Sequence, residues 1–382
     1  MNILSERIKF NRNELSGAFG DIGTDLPLII GMLLASDFEI TNVLILYGLM
    51  QIFTGIVYGI PMAVQPLKAV AMIVITQKIS GDVVMLGGLL IGLVMFVLSI
   101  TNLLTSIEKI IPKTVIRGIQ LGLGMQLALI AFKDYIPSEQ ITGYILAGIS
   151  FLIALVLLGN KKFPPAIFII LFGVFYTLIF RFDNNIFKIS LPHFVIPELN
   201  FENAWTAFFL LTLPQIPLSL GNSIYATKQI VDDLYPDKPL TVKKIGLTYS
   251  IMNISCSLLG GIPVCHGSGG LAGHYTFGGR TGGSVVIYGL MYIILGLVFS
   301  TNFIETIQIF PKPILGTILV IEGMSLMVLV KDIITDKKLF FIAIMVALIA
   351  NGVQYGYFVA AVVGISVYHL INKVFLKHYG KH

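Results

Sequence analysis

Stretches without a single Asp, Glu, Lys or Arg recur along the chain, at 40–67, 83–107, 118–132, 140–160, 163–180, 203–227, 245–279, 281–304, 313–321 and 339–372. A bilayer core about 30 Å thick takes about 20 helical residues, so the 28, 35 and 34 residues of 40–67, 245–279 and 339–372 must each hold more than one element. Proline and glycine mark the divisions. Residues 40–67 read as a helix to about Tyr58, an extended piece from Pro61 to Pro66, and a helix resuming near Leu67 and running to about Gln77. Residues 245–279 divide at Gly260–Gly270, with extended chain to about Ser268 and helix beyond, and 339–372 divide at Asn351-Gly352. A first segment at about 13–35 and one around Glu322, at about 313–330, bring the prediction to fourteen membrane elements, seven per half, with a polar loop at 182–202 between the halves.

The two interrupted segments share wording: Gly59-Ile60-Pro61 leads to Gln65-Pro66-Leu67-Lys68, and Gly261-Ile262-Pro263 leads to Cys265-His266-Gly267-Ser268-Gly269-Gly270. Basic residues test the count. With a cytoplasmic N-terminus, nineteen Lys and Arg fall on inside loops and five outside (Lys78, Lys133, Arg181, Lys188 and Lys312), which leaves Lys68 in the membrane. That asymmetry is the positive-inside pattern, and it puts the C-terminus inside as well. An odd number of spans per half makes the second half enter from the opposite side, so the repeat is inverted. The expected fold is an all-α polytopic membrane protein of 14 transmembrane segments in two inverted 7-segment repeats, 1–190 and 191–382. Segments 3 and 10 are broken half-helices with short extended pieces. In space the expectation is a core domain (about 13–107 and 203–304) and a gate domain (about 112–181 and 311–372), with no soluble domain.

Composition agrees: 56% hydrophobic, 12% charged and a mean hydropathy of +0.89, against about 25% charged residues in soluble chains. The net charge of +5 is scattered in ones and twos at the ends of apolar runs, so it reports topology and no nucleic-acid partner. The charged first twelve residues carry no secretory signal pattern. Cys256 and Cys265 have no partner at metal-ligand spacing, and neither a metal nor a cofactor is expected. The sequence shows no Walker, His-Glu-x-x-His or Gly-x-Ser-x-Gly motif and no nucleophile–base pair, so nothing in it supports ATP-driven pumping or membrane enzymology.

Paired interrupted segments in an inverted repeat point to a transporter's binding site. Both half-helices begin near the membrane centre, and each N-terminus offers unpaired N–H groups and about half a positive charge, a ready anion site. Gln65, Lys68, Cys265, His266, Gly267, Ser268 and Gly269 are placed there. Gln215 and Asn222 join them from Thr212-Leu213-Pro214-Gln215-Ile216-Pro217 and Gly221-Asn222-Ser223, whose amides and hydroxyls suit an oxyanion. Lys68 either completes neutralisation of a dianion or pairs with Asp21 or Asp25. Those two acids stand four apart, on one helix face, so at least one is expected to be paired or protonated. With Thr24 they are candidates for coupling to a proton or Na+, a structural role being the alternative. Glu322 is expected to pair structurally, and Arg280 to cap the end of the second half-helix.

At these residues the sequence resembles the molybdate-transporter branch of the sulfate permease superfamily. The resemblance rests on Glu14-Leu15-Ser16-Gly17-Ala18-Phe19-Gly20-Asp21-Ile22-Gly23-Thr24, Pro61 to Ala69, Thr212 to Leu218 with Gly221-Asn222-Ser223, and Cys265 to Tyr275 with Phe277 to Gly282. It implies the fold shared by sulfate permeases and uracil transporters, with core and gate domains, substrate between segments 3 and 10, and no cytoplasmic STAS domain. Asp25 stands where that pattern leads one to expect an apolar or aromatic residue, which leaves the coupling ion open. The expected function is secondary transport of a tetrahedral oxyanion, molybdate first, with tungstate or sulfate as alternates. A nucleobase symporter of the same fold and an anion channel or sensor are the other readings. A homodimer in the lipid bilayer is compatible with this pattern.

Overall fold

The computed structural model describes residues 6–107, 111–157, 165–181, 192–298 and 309–379. Part of the predicted loop 182–202 lies outside these residues, as do Lys109, Lys161, Lys162, Lys188 and Lys381 of the charge count. The chain is almost wholly helical. In order come α1 (Arg12–Ala18), α2 (Ile22–Ala35), α3 (Ile40–Tyr58), β1 (Val64–Pro66), α4 (Lys68–Gln77), α5 (Gly81–Ile100), α6 (Lys113–Ile130), α7 (Gln140–Val156) and α8 (Pro165–Phe180). The second half adds α9 (Phe201–Leu234), then α10 (Val242–Leu258), β2 (Val264–His266), α11 (Ser268–Thr276), α12 (Gly283–Val298), α13 (Lys312–Val328), α14 (Lys337–Gly352) and α15 (Gly356–Tyr379). The predicted divisions near Tyr58, Leu67, Ser268 and Asn351 fall at or within a few residues of real helix ends. Among the described residues five helices are long and apolar enough to cross a bilayer alone, and α1 with α2 makes a sixth as a bent pair.

Two segments differ from expectation. The first, 13–35, is two helices meeting at 42°. Gly17 and Gly20 at the bend press on the chain around α11, where an added Cβ would lie 2.5 Å from Gly279 N and from Gly273 C respectively. Glu14 fixes α1 in place: its buried carboxylate accepts from the backbone N–H groups of Arg280 (3.0 Å), Thr281 (2.9 Å) and Ser284 (3.0 Å), donors left unpaired at the start of α12. The other is α9, predicted to end at 227, which continues to Leu234 and widens into π-helix at Phe208–Thr212 and Ser219–Tyr225. Pro214 and Pro217 lack the N–H that a regular turn needs, and π turns redistribute the carbonyls they free.

Packing joins the halves pairwise: α3 lies along α12 and α5 along α10, while α6 lies against α13 and α14. Small residues let backbones meet where lipid supplies no hydrophobic drive. At Gly48 and Gly289 each Cβ, were it added, would stand 2.4 Å from the other's carbonyl oxygen. Gly124 and Gly323 repeat the arrangement between α6 and α13, at 2.4 and 2.6 Å. Arg7, Lys238 and Lys244 converge on the C-terminal end of α3, donating to Ile56 O (3.3 Å), Gly59 O (2.9 Å) and Val57 O (3.5 Å), a favourable place for cations.

Candidate functional site

Both half-helices are preceded by the same local construction. In α3, Gln51 donates to Val64 O at 2.7 Å and accepts from Val64 N at 3.1 Å. In α10, Asn253 donates to Val264 O at 2.7 Å and accepts from Val264 N at 3.0 Å. A buried amide thus satisfies both backbone groups of the residue that opens each strand, where the bilayer supplies no water to do so. The strands pair antiparallel, Val64 with His266, Gln65 with Cys265 and Pro66 with Val264. Leu67 N to Pro263 O (3.0 Å) and Gly267 N to Ala63 O (3.2 Å) close the crossing on either side. Each strand leads directly into a helix, so α4 and α11 leave the crossing in opposite directions with their N-termini at it.

A cavity of about 410 Å³ opens at this crossing. Gln65, Lys68, Gln215, Asn222, Cys265, His266, Gly267, Ser268 and Gly269 all line it, with Asp21 and Thr24. Gln65 donates to both carboxylate oxygens of Asp21, at 2.7 and 2.9 Å. The Gln65 side chain crosses over Gly267, where an added Cβ would lie 2.2 Å from its Cδ, and Asp21 sits over Gly270 with Oδ2 2.1 Å from the Cβ position. Gly269 has open space beside it, with nothing within 4 Å of its Cβ position. Among the described residues no side chain is shown hydrogen-bonded to the N–H groups that open α11, and its N-cap residue, Gly267, has none to offer. The α4 N-terminus differs, because Gln215 Oε1 accepts from Ala69 N at 3.1 Å and Val70 N at 3.3 Å. Gln215 is itself held by Ser219 (3.0 Å), which meets Tyr249 at 2.6 Å.

Three of these side chains find partners that the sequence did not indicate. Lys68 pairs with neither Asp21 nor Asp25; its Nζ lies 2.6 Å from Glu322 Oε1, because α13 brings that acid to the cavity wall opposite α4. Asp25 is absent from the lining: the turn of α2 sends it into a buried group of tyrosines, with Tyr288 donating to Oδ2 at 3.3 Å and Tyr292 3.1 Å further along. The His266 ring is engaged away from the cavity centre, Nε2 lying 2.7 Å from Thr248 Oγ1 and the ring edge-on to Tyr58. Arg280 behaves as expected, donating to Tyr275 O at 2.5 Å in the last turn of α11 and stacking over that ring at 3.6 Å.

Arg117, Gln120, Glu322 and Ser325 line the cavity and were missed as site residues. Gln120 donates to Asn222 at 2.9 Å and accepts from Arg117 at 2.9 Å. Arg117 also bridges to Asp332, which Lys113 contacts at 2.9 Å. The signal for Glu322 was present, since an ionisable residue inside a span is a functional candidate by default; Arg117 looked like an ordinary loop cation.

The chain matches a family described as "Molybdate transporter of MFS superfamily" over residues 13–127 and 207–326. These stretches carry both interrupted segments. It is 32% identical over 373 residues to Molybdate transporter 1 of Arabidopsis thaliana, covering 86% of this chain and 81% of the relative. Among solved structures, the transmembrane domain of a cyanobacterium bicarbonate transporter, BicA, aligns with a TM-score of 0.65 at 15% identity, over 91% of this chain and 99% of that one. SLC26A9 aligns at 0.71 and 13% identity, over 94% of this chain and 64% of that one. The fold is therefore that of the sulfate permease (SLC26) transporters, whatever superfamily the family description names. Its relatives are transporters rather than enzymes, and this chain, a multi-pass integral membrane protein with an anion-transporter fold, belongs to the molybdate transporter family.

Proposed function

We propose that the chain carries a tetrahedral oxyanion, molybdate above all, by alternating access. The anion binds between the facing N-termini of α4 and α11, and a core of about 13–107 with 203–304 rocks against a gate of about 112–181 with 311–372. The observation that carries this reading is the uncapped α11 N-terminus beside open space at Gly269, directed into the same cavity as Lys68. Fixed backbone donors and a helix dipole favour an anion without reorganising. The relative's printed name supports molybdate as the cargo. With both termini inside, as the distribution of basic residues supports, Arg117, Ser325 and Leu329 in the lining favour an inward-open form. Asp21, which meets the cavity, is the better coupling group; Asp25 is enclosed by tyrosines.

Residues 203–227 and 262–279 contain no carboxylate that could accept the ring N–H groups of a nucleobase. Two carboxylates nonetheless reach the cavity from other segments, where Asp21 is engaged by Gln65 and Glu322 by Lys68, which leaves each with fewer acceptor positions for a base N–H.

Purified protein in liposomes tests the proposal. Saturable molybdate uptake is expected, inhibited by tungstate. Both molybdate and sulfate are dianions, so selectivity rests on size: longer metal–oxygen bonds bring more oxygens at once to the donors of α11 and to the side chains on the α4 side. One unmet hydrogen bond to a charged group is worth roughly 1.5–3 kcal/mol, so sulfate should bind at least about tenfold more weakly. Equal affinities would move the cargo to sulfate, and an unsaturating anion current would make the chain a channel.

A further inference from the structure

Among the cavity's charged residues only one cation stands where a bound anion could use it, and it is already taken. Arg117 is held by Asp332 and Gln120. Lys68 stands at the first turn of α4, with Nζ 2.6 Å from Glu322, and the two side chains are 27% and 12% exposed, on the cavity wall. The pair also ties α4, which continues the crossing, to α13, which packs with α6 in the other group of helices. A cation this deep in a membrane cannot be left unpartnered, yet a dianion entering the cavity needs it.

Resting on the transport reading above, we propose that Glu322 is a built-in competitor for the substrate's cation. In the empty carrier its carboxylate occupies Lys68 and holds α4 to α13. The incoming oxyanion takes Lys68 from it, so loading removes the tie between the two groups of helices. Glu322 thereby sets affinity through Lys68 and makes its release conditional on cargo. The charged and titratable groups around Glu322 are few. Lys68 faces it from α4, Asp21 acts from α2 at longer range, and Arg117 lines the same cavity from α6. Glu139 and Arg181, beside α7 and α8, pair with each other, and Tyr135 meets α13 at Gly316, well before Glu322.

The test is molybdate binding to full-length purified variants by calorimetry. Removing a competitor tightens binding, whereas breaking a merely structural bridge weakens it or leaves it unchanged, so the sign decides. Glu322→Gln is expected to lower the molybdate Kd by about tenfold or more, with Glu322→Asp between it and wild type. Lys68→Gln should raise Kd by about 10–100-fold, and in that background Glu322→Gln should no longer tighten binding, the non-additivity of a shared partner. An unchanged or raised Kd in Glu322→Gln and Glu322→Asp, with wild type binding normally, overturns the competitor and leaves transport standing. Failure of the wild type to bind any tetrahedral oxyanion overturns both.

Discussion

The two interrupted segments share a backbone design and differ in what they offer a ligand. On the first-half side Gln51 braces Val64, on the second-half side Asn253 braces Val264, and each amide makes two hydrogen bonds to its valine. Beyond the strands the equivalence stops. The N-terminus of α4 is filled by Gln215 and carries a fixed charge at Lys68; the N-terminus of α11 has no side-chain cap among the described residues and is built of Ser268, Gly269 and Gly270. Inversion thus supplies the geometry twice, and divergence assigns the backbone cradle to one half and the countercharge to the other. Anion contacts should be concentrated on α11.

The largest effect that follows concerns bulk at this cradle. Gly269→Val puts a side chain into open space, so the protein should fold normally while molybdate binding falls below detection. Gly267→Val should also abolish binding, but by displacing Gln65, 2.2 Å from its Cβ position, and with lower thermal stability. Wild-type affinity in a folded Gly269→Val protein would remove α11 from the site.

Next come the acids, which stay within hydrogen-bonding reach of each other, although only Asp21 lines the cavity. Asp21→Asn keeps an acceptor for Gln65 but removes a titrating group, so binding should persist while uptake driven by an imposed pH gradient disappears. Asp25→Asn, behind the cavity lining, should leave that gradient effective. The reverse outcome would move coupling into the tyrosine cluster, and unaffected uptake in both would leave Na+ or no coupling ion.

The shared brace predicts unequal penalties. Gln51→Leu strands the Val64 N–H but leaves Val64 O with Tyr47, which donates to it at 2.6 Å, whereas Asn253→Leu takes a partner from both the N–H and the C=O of Val264, at about 1–3 kcal/mol per stranded group. Melting of the two detergent-solubilised variants should therefore fall for both and further for Asn253→Leu, with the double variant unable to form the crossing. A larger fall for Gln51→Leu would show that the tyrosine does not back up the first brace.

Much of this geometry was legible in local wording. Gly-Ile-Pro in both halves marked where helices had to break, because proline and glycine act on the chain where they stand. Charge-free runs gave the helix ends for the same reason. The misreadings all involve partners far apart in sequence. Lys68 meets Glu322 across 254 positions, Glu14 holds an N-terminus more than 260 residues away, and Gln120 reaches Asn222 over 102. Spacing along one helix placed Asp21 and Asp25 on one face but could not say that the face turns from water to tyrosine within a single turn. Nor does the wording around Pro214 and Pro217 disclose that α9 compensates with π turns and so delivers the Gln215 side chain to the end of α4.

Gln215 provides the smallest and sharpest test of the asymmetry. Its Oε1 accepts from Ala69 N and Val70 N, so those donors are spent before any ligand arrives, and Gln215→Ala returns them to water or to the anion. Loss of the cap and gain of two free donors oppose each other, and the change in molybdate affinity should stay within about threefold, well under 1 kcal/mol. Ser268, at the uncapped end, has no such compensation. Ser268→Ala removes one hydrogen bond to a charged group, roughly 1.5–3 kcal/mol, or about 10–100-fold in Kd. Measured side by side, a large loss for Ser268→Ala with little change for Gln215→Ala keeps the cradle on α11. Equal losses would mean that the anion reaches both N-termini through their side chains, and the division of labour between the halves would be wrong.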